Sequence, residues 1–248
     1  MTRSQARGLI LAGRVCVDGQ PARKAGALLR AGARVEVTSA PAYVSRGGDK
    51  LAAALDGFAL SPQGADVLDV GASTGGFTDV VLARGAKHVT ALDVGYGQLA
   101  WKLRSDPRVT VLERTNFRTL EDDAFPARFD LILIDASFIS LRTIVARAAG
   151  YLREGGSIVA LVKPQFEAGR DRIGGGGVVR DPAVHRAILR EVRDALGPLG
   201  LAAAAAIVSP LRGPAGNIEF FYHIVRSGVP VDDARIDALV TEAHGPEV

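Results

Sequence analysis

The segment DVLDVGASTGGFTD, residues 66–79, decides the fold. An apolar run with strand character, Val67–Val70, leads through a glycine-rich turn into a stretch with helical character. Gly71, Gly75 and Gly76 permit a tight turn and a close backbone approach. The free N–H groups at the start of the following helix can contact a polar or anionic ligand. The segment therefore predicts a strand–turn–helix unit that binds a nucleoside-bearing ligand.

Strand and helix patterns alternate outward from this segment. The apolar strand candidates are Val67–Val70, Val89–Leu92, Val109–Leu112, Leu131–Ile134 and Ile158–Val162. The helical stretches between them are Phe77–Arg84, Gln98–Arg104, Leu141–Leu152 and Pro182–Leu196. This alternation indicates a parallel sheet covered on both faces. Leu201–Val208 and Ile218–Val225 follow one another without a crossover helix, which predicts an antiparallel last strand. We expect an α/β fold, the class I (Rossmann-like) methyltransferase arrangement with a seven-stranded, mostly parallel sheet.

The composition is that of a folded globular protein. Hydrophobic residues make up 48% of the 248 residues and charged residues 23%, ordinary proportions for a chain that buries a full core. The strongly apolar stretch Leu201–Val208 is far shorter than the roughly 18 residues of a membrane helix, and Leu9–Ala12 is too short for a secretory signal. Cys16 is the only cysteine, which excludes a disulfide framework and a paired-cysteine metal site. We expect a cytoplasmic protein with no membrane partner and no metal.

Positive charge is concentrated in the first forty residues. They hold seven basic and two acidic side chains, a net charge of +5, which leaves −2 for the other 208 residues. A compact basic module suggests a polyanionic partner, although a merely solvated surface has the same charge pattern. Helical character in Ser4–Ala12 and strand character in Arg14–Val17 and Arg34–Val37 predict a separate unit, residues 1–40. A linker, residues 41–45, precedes a larger domain, residues 46–248.

The form of the glycine turn narrows the ligand. DVGASTGG, from Asp69, is neither the G-x-G-x-x-G of dinucleotide enzymes nor a phosphate-binding P-loop. Asp93 ends the following strand, where a carboxylate can accept hydrogen bonds from ribose hydroxyls. These features favour S-adenosylmethionine, with an NAD or flavin site as the alternative. The predicted cofactor-binding residues are Asp69, Gly71, Ala72, Ser73, Thr74, Gly75, Gly76, Phe77, Asp93, Val94, Asn116 and Asp135.

Four charged residues stand at strand ends or just ahead of the sheet. They are Lys50, Asp135, Lys163 and Glu219. Ligands of a doubly wound sheet bind outside the carboxyl ends of its parallel strands, and an antiparallel last strand begins at that same edge. One charged residue after an apolar strand is usually the solvated end of that strand. Four that converge on one edge are harder to explain in this way.

These residues carry a resemblance to a known family. The Lys-Asp-Lys-Glu set resembles that of the FtsJ-like RNA ribose 2′-O-methyltransferases. Longer motifs are similar to those of the TlyA family of rRNA cytidine 2′-O-methyltransferases, also called hemolysins, over nearly the whole chain. These motifs are SRGGDKL from Ser45, DVGASTGGFTD from Asp69, IDASFISL from Ile134, VKPQFEAGRDRI from Val162 and GNIEFF from Gly216. The stretch SQARGLILAGRVCVDGQPARKAGALL, from Ser4, resembles an S4 RNA-binding domain that lacks its first helix.

The resemblance implies 2′-O-methylation of a ribose, with cytidine as the nucleoside and ribosomal RNA or a ribosomal subunit as the partner. The implied catalytic residues are Lys50, Asp135, Lys163 and Glu219. Lys163 is the candidate base for the ribose hydroxyl, although the two carboxylates favour its charged form; alternatively, it stays protonated and stabilises the developing alkoxide. The expected RNA-binding residues are Arg3, Arg7, Arg14, Arg23, Lys24, Arg46 and Arg170.

Three other functions remain open from the residues alone. A small-molecule O-methyltransferase would explain the glycine turn but would leave the basic module without a purpose. A non-catalytic RNA-binding protein would leave the four charged residues at the strand ends unexplained. A pore-forming hemolysin would need a long apolar helix or alternating barrel strands, and neither pattern is visible in the sequence.

Overall fold

The computed structural model describes most of the chain as two compact units, Met1–Ala42 and Tyr43–Val248. The described residues are 2–11, 15–18, 20–22, 24–37, 42–121, 123–169 and 172–245. Three of the residues predicted to bind RNA, Arg14, Arg23 and Arg170, lie outside them.

The amino-terminal unit is a helix followed by a small antiparallel sheet. Its elements are α1 (Arg3–Leu11), β1 (Val15–Val17), β2 (Gln20–Pro21) and β3 (Val35–Val37). The strand order is β2-β1-β3. Asp18 turns the chain at the end of β1 with a left-handed φ of 50°, a conformation that Asp tolerates better than most residues. Its carboxylate accepts a hydrogen bond from the backbone N–H of Arg34 at 2.8 Å, which ties this turn to the start of β3.

The larger unit contains the predicted seven-stranded sheet. Its strands are β4 (Asp66–Val70), β5 (His88–Leu92), β6 (Val109–Leu112), β7 (Phe129–Ile134), β8 (Leu152–Val162), β9 (Ala202–Val208) and β10 (Phe220–Val225). Their order is β6-β5-β4-β7-β8-β10-β9. All neighbours are parallel except β10, which pairs antiparallel with both β8 and β9. The predicted α/β class and the antiparallel last strand are confirmed.

Helices cover the sheet. They are α2 (Arg46–Gly57), α3 (Gly76–Ala83), α4 (Trp101–Arg104), α5 (Leu141–Tyr151), α6 (Pro164–Glu167), α7 (Pro182–Asp194) and α8 (Asp233–Ala243). Short 3₁₀ turns occupy Phe117–Thr119, Gly175–Gly177 and Gly197–Leu199. Within the described part of the chain, no helix is both long enough and apolar enough to span a membrane.

Several predicted boundaries were wrong; the largest difference is at β8, which begins at Leu152 rather than Ile158. The helix expected from Gln98 begins only at Trp101, because the preceding residues form a turn around Asp93, whose carboxylate accepts a hydrogen bond from Gly95 N at 2.6 Å. The last strand begins at Phe220 rather than Ile218. Glu219 therefore stands immediately before the strand.

Alternate residues of the central strand β7 are buried on opposite faces of the sheet. Ile132 and Ile134 pack in the core under α5, α7 and α8, whereas Leu131 and Leu133 pack in the core under α2 and α3. All four side chains are at most 5% exposed. Because both faces are covered, a polar side chain that follows such a strand can reach solvent only at the strand end. This arrangement directs the charged residues of the sheet to its carboxyl edge.

Candidate active site

The glycine turn brings two strand ends into unusually close contact. Gly71 has a φ of +87°, and a Cβ atom on it would stand 2.6 Å from the carbonyl oxygen of Asp135. The N–H of Asp135 in turn donates to the carbonyl oxygen of Val70 at 3.0 Å. Only glycine fits this position, because any side chain would push β4 and β7 apart. The turn and the end of β7 are therefore one structural unit.

Two cavities open on either side of this unit. One, of about 480 Å³, is lined by Asp93, Asn116 and apolar side chains, and we call it the Asp93 cavity. The other, of about 410 Å³, is lined by Lys50, Lys163 and Glu219, and we call it the lysine cavity. Residues lining both cavities include Gly71, Ser73, Asp135, Ser137 and Phe138. A ligand that fills the Asp93 cavity is therefore adjacent to the lysine cavity.

The Asp93 cavity combines apolar walls with a preoriented carboxylate. Asp93 accepts hydrogen bonds from Ser73 N at 2.8 Å and Gly95 N at 2.6 Å, one on each oxygen. Each oxygen retains a second lone pair, so two hydroxyl groups can still donate to it. Asn116 caps the short turn after β6 by accepting from Arg118 N at 3.1 Å, and the wall beside it is formed by Leu92, Phe117 and Ile144.

Asp69 lies beneath the turn rather than in either cavity. The residue is fully buried, and its Oδ2 accepts a hydrogen bond from Thr78 Oγ1 at 2.7 Å. Its Oδ1 has no hydrogen-bond partner among the described residues. Burial raises the pKa of this carboxyl group to about 7, more than the Thr78 hydrogen bond lowers it. The unpartnered oxygen is therefore enclosed beneath the turn and lines neither cavity.

The four predicted catalytic side chains line the lysine cavity as two ion pairs. Lys163 Nζ lies 2.6 Å from Asp135 Oδ1 and donates to Ser137 Oγ at 2.9 Å. Lys50 Nζ lies 2.5 Å from Glu219 Oε2. The Lys50 and Glu219 side chains are only 10% and 1% exposed. The paired charges cancel, so the cavity wall is polar but carries no net charge from these groups.

Glu219 reaches this edge because β10 runs antiparallel to β8. Its backbone carbonyl accepts from Ser209 N at 2.9 Å, which holds the start of β10 beside the end of β9. The chain between them folds against the carboxylate so tightly that a Cβ atom on Gly213 would stand 2.6 Å from Glu219 Oε1. This enclosure leaves the Lys50 ammonium as the partner of Glu219.

An exposed aromatic residue stands at the rim of both cavities. Phe138 is 92% exposed and has a φ of +64°, a strained conformation for a bulky residue. Its ring centroid lies 5.0 Å from that of Phe166, over which Lys163 Nζ lies at 5.8 Å. Strain of this kind clusters at functional sites. The exposed Phe138 ring therefore offers an aromatic surface close to Lys163.

The structure places most of the predicted cofactor residues on the two cavity walls. Those on the lysine cavity are Gly71, Ala72, Ser73, Thr74, Gly76, Phe77 and Asp135. Those on the Asp93 cavity are Gly71, Ser73, Asp93, Val94, Asn116 and Asp135. Asp69 and Gly75 line neither. Of the predicted RNA-binding residues, Arg46 is exposed on the lysine cavity wall, and Arg3, Arg7 and Lys24 are exposed on the amino-terminal unit.

Sequence reasoning missed several residues of the site. Ser137, Phe138 and Phe166 follow Asp135 or Lys163 by two or three positions, and Gln98 follows Asp93 within the same turn. Gln98 Oε1 accepts a hydrogen bond from Ser73 Oγ at 3.2 Å, which fixes the turn after β5 against the glycine turn. Their proximity to predicted strand ends was the available signal.

Known proteins resemble both units of the chain. The FtsJ-like methyltransferase family matches residues 43–226, and the S4 domain family matches residues 2–35. The 16S/23S rRNA (cytidine-2′-O)-methyltransferase TlyA of Mycobacterium tuberculosis is 52% identical over 89% of this chain and 83% of its own length. Hemolysin A of Brachyspira hyodysenteriae is 38% identical over 90% of this chain and 94% of its own length. A solved structure of a protein from Streptococcus thermophilus, described as a hemolysin, superposes with a TM-score of 0.82 at 42% identity. The match covers 98% of this chain and 90% of that chain.

Proposed function

Because this chain belongs to the TlyA family of FtsJ-like methyltransferases, we propose that it transfers a methyl group from S-adenosylmethionine to the 2′-hydroxyl of a cytidine ribose in ribosomal RNA. The observation that carries the proposal is the lysine cavity, where two Lys–carboxylate pairs adjoin the glycine turn. The substrate named for the Mycobacterium tuberculosis relative supports ribosomal RNA. The partners are then ribosomal RNA or ribosomal subunits, and the place of action is the cytoplasm.

The residues around the Asp93 cavity fit S-adenosylmethionine. The Asp93 carboxylate can accept both ribose hydroxyls of an adenosine, and the apolar wall with Asn116 can hold the adenine ring. Gly71 allows the ligand to approach the backbone at the junction of the two cavities. When bound, S-adenosylmethionine supplies an electrophilic methyl group.

Lys163 is the group that accepts the proton of the ribose hydroxyl. Its side chain is 11% exposed, and its ammonium is fixed by Asp135 and Ser137 at the wall shared with the cofactor site. As a general base, Lys163 takes the proton onto its amine nitrogen as the ribose oxygen attacks, and the resulting ammonium remains paired with Asp135.

The Lys50–Glu219 pair acts on the same oxygen in a different way. Lys50 presents a fixed positive charge in a largely desolvated position, where it stabilises negative charge that develops on the ribose oxygen. Glu219, which is almost fully buried, holds the ammonium in place. Positioning of the reacting groups also lowers the activation free energy, by up to roughly 7–11 kcal/mol.

Phe138 provides a surface for the base of the target nucleotide. An aromatic ring that is 92% exposed beside the site can stack on an unpaired base, which is worth about 1–3 kcal/mol. The exposed side chains Arg46, Arg3, Arg7 and Lys24 supply phosphate contacts. The S4 match at residues 2–35 supports the assignment of the amino-terminal unit to RNA binding.

Methyl transfer from labelled S-adenosylmethionine to isolated small and large ribosomal subunits tests the proposal. We expect label in ribosomal RNA with the wild-type protein and at least a roughly 100-fold lower rate for Lys163→Ala, since a general base contributes about 10²–10⁴-fold. Lys87→Ala is the matched control, because Lys87 also pairs with an aspartate, Asp66 at 3.0 Å, but at the amino end of the strands. Label incorporated equally by wild type and Lys163→Ala would overturn the assignment of the base.

A further inference from the structure

A third buried carboxylate lies close to the site but outside both cavities. Glu167 is the last residue of α6, and its side chain is 2% exposed. Oε1 accepts from the backbone N–H of Leu141 at 2.5 Å, and Oε2 accepts from Ser140 Oγ at 2.7 Å. Arg142 Nε lies 3.6 Å from Oε2. None of these contacts involves the glycine turn or the walls of the Asp93 cavity and the lysine cavity.

The contacts of Glu167 join the two segments that carry Asp135 and Lys163. Residues 135–140 lead from β7 into α5, and α6 begins directly after Lys163. Lys163 contacts Asp135 and Ser137 at the cavity end of this junction. Phe138 and Phe166 pack together further along it. Glu167 closes the junction at its buried end, where the two segments leave a void of only about 10 Å³.

The start of α5 depends on this carboxylate. Ser140 stands at the N-cap position, but its hydroxyl makes no capping hydrogen bond to the helix. Instead, it donates to Glu167, which also takes the N–H of Leu141. A carboxylate at this position is favoured by the partial positive charge of a helix N-terminus. The cap of α5 is thus supplied by the segment that carries Lys163.

We propose that Glu167 is a positioning residue for methyl transfer: it anchors residues 135–140 so that Asp135, Ser137 and Phe138 keep their places around Lys163. The inference rests on the proposed function. Glu167 touches neither cavity, so it acts through the Lys163–Asp135 pair and not on substrate or cofactor. Loosening the anchor lowers the rate of the chemical step by a larger factor than it weakens the binding of cofactor and RNA, to which residues 135–139 contribute cavity wall.

Four variants test the proposal by steady-state kinetics on ribosomal subunits. Glu167→Ala removes both hydrogen bonds, and we expect kcat to fall at least tenfold while the KM values for cofactor and RNA rise by a smaller factor. In Glu167→Gln the side-chain oxygen can still accept a hydrogen bond from Leu141 N, and the side-chain NH2 group can donate one to Ser140 Oγ. This variant should therefore retain kcat within about threefold. Ser140→Ala removes one of the two hydrogen bonds and should lower kcat about threefold to tenfold. The double variant Ser140→Ala/Glu167→Ala should be no worse than Glu167→Ala, because both changes break the same contact.

Asp237→Ala is the control for loss of an ion-paired carboxylate. Asp237, on α8, pairs with Arg190 of α7 at 2.8 Å, away from both cavities. Loss of the Asp237 carboxylate should therefore leave kcat unchanged. An unchanged kcat in Ser140→Ala, or a raised KM with unchanged kcat in Glu167→Ala, would overturn the proposal. If Glu167→Ala does not fold, Ser140→Ala decides alone by the same criterion.

Amide hydrogen exchange separates this inference from the proposed function. We expect faster exchange in residues 136–141 of Glu167→Ala or Ser140→Ala than in wild type, with no change in residues 183–189 of α7. If the wild-type protein transfers no methyl group to ribosomal RNA, the proposed function fails, and the exchange result still decides whether Glu167 anchors the segment. Equal exchange in residues 136–141 of variant and wild type contradicts the anchor.

Discussion

Lys163 Nζ lies 2.6 Å from Asp135 Oδ1 although the two residues are separated by 28 positions in the chain. Each follows the last residue of a strand, and these strands, β7 and β8, are parallel neighbours. Parallel neighbours end at the same edge of a sheet, so their next residues meet there. The ion pair is therefore a consequence of topology, and it places the candidate base beside the glycine turn.

The buried Lys50–Glu219 pair predicts a non-additive effect on stability. Lys50→Met or Glu219→Gln alone leaves one charge buried without its partner, which costs about 3–5 kcal/mol of the free energy of unfolding. The double variant removes both charges and should be less destabilised than the sum of the singles. Denaturant unfolding measures these differences. Lys87→Met, at an exposed pair, should cost less than about 1 kcal/mol; strictly additive single effects would contradict a direct interaction.

Gly71→Ala should weaken cofactor binding at least tenfold. The added Cβ atom would meet the Asp135 carbonyl oxygen at 2.6 Å, at a φ of +87°. Gly97→Ala separates strain from steric contact, because Gly97, in the turn after β5, also has a positive φ, +71°, but has nothing within 4 Å of the added atom. Titration calorimetry with S-adenosylmethionine measures both variants. Equal affinity of Gly71→Ala and wild type would mean that the contact between the turn and β7 does not shape the cofactor site.

The pKa of Asp69 predicts a pH dependence of stability. Burial raises this pKa from 3.8 to about 7, so between these values the folded protein holds a proton that the unfolded chain has lost. The contribution of Asp69 to the free energy of unfolding then falls as the pH rises from about 4 to 7, by up to about 1.4 kcal/mol per pH unit. Above about pH 7 this contribution no longer changes. Asp69→Asn should lack this decline.

Thermal unfolding of wild type and Asp69→Asn across pH 4–8 measures the effect. The difference between the two curves isolates Asp69 from other groups such as His185, whose pKa is lowered to about 4 by burial and which acts in the opposite direction. A difference that does not vary with pH would show that Asp69 is ionised throughout.

Phe138 is predicted to matter for turnover on RNA and not for folding. Phe138→Ala removes a ring that is 92% exposed, so the unfolding temperature should stay within about 1 °C of wild type, as expected for exposed substitutions. Loss of base stacking should lower kcat/KM for RNA about 5- to 150-fold, and Phe138→Tyr should restore it. Val229→Ala, at another exposed apolar residue, is the control. Unchanged kcat/KM in Phe138→Ala would remove the stacking role.

Much of the fold was predictable because its signals are local. The apolar run Val67–Val70 and the glycine turn after it indicated β4 and α3, and alternation of strands and helices indicated the parallel sheet. The convergence of Lys50, Asp135, Lys163 and Glu219 also followed from topology. Which lysine pairs with which carboxylate did not, since Lys50 and Glu219 are 169 positions apart and meet only through tertiary packing.

Other features depend on contacts that no local pattern encodes. The start of α4 at Trp101 is set by the hydrogen bonds of Asp93 in the preceding turn. The exposure of Phe138 reflects a left-handed backbone that a bulky residue rarely adopts. The capping of α5 by Glu167 joins segments 26 positions apart. Each of these depends on the packing of loops at the sheet edge.

The position of the methyl group on the modified nucleoside tests the central claim most directly. Ribosomal RNA treated with wild-type protein and labelled S-adenosylmethionine is digested to nucleosides, which are then separated and identified by mass spectrometry. The proposed function, which the arrangement of Lys163 and Asp135 beside the glycine turn supports, predicts that the label is found in 2′-O-methylcytidine. Label on a nucleobase, or ribosomal RNA that acquires no label, would contradict it.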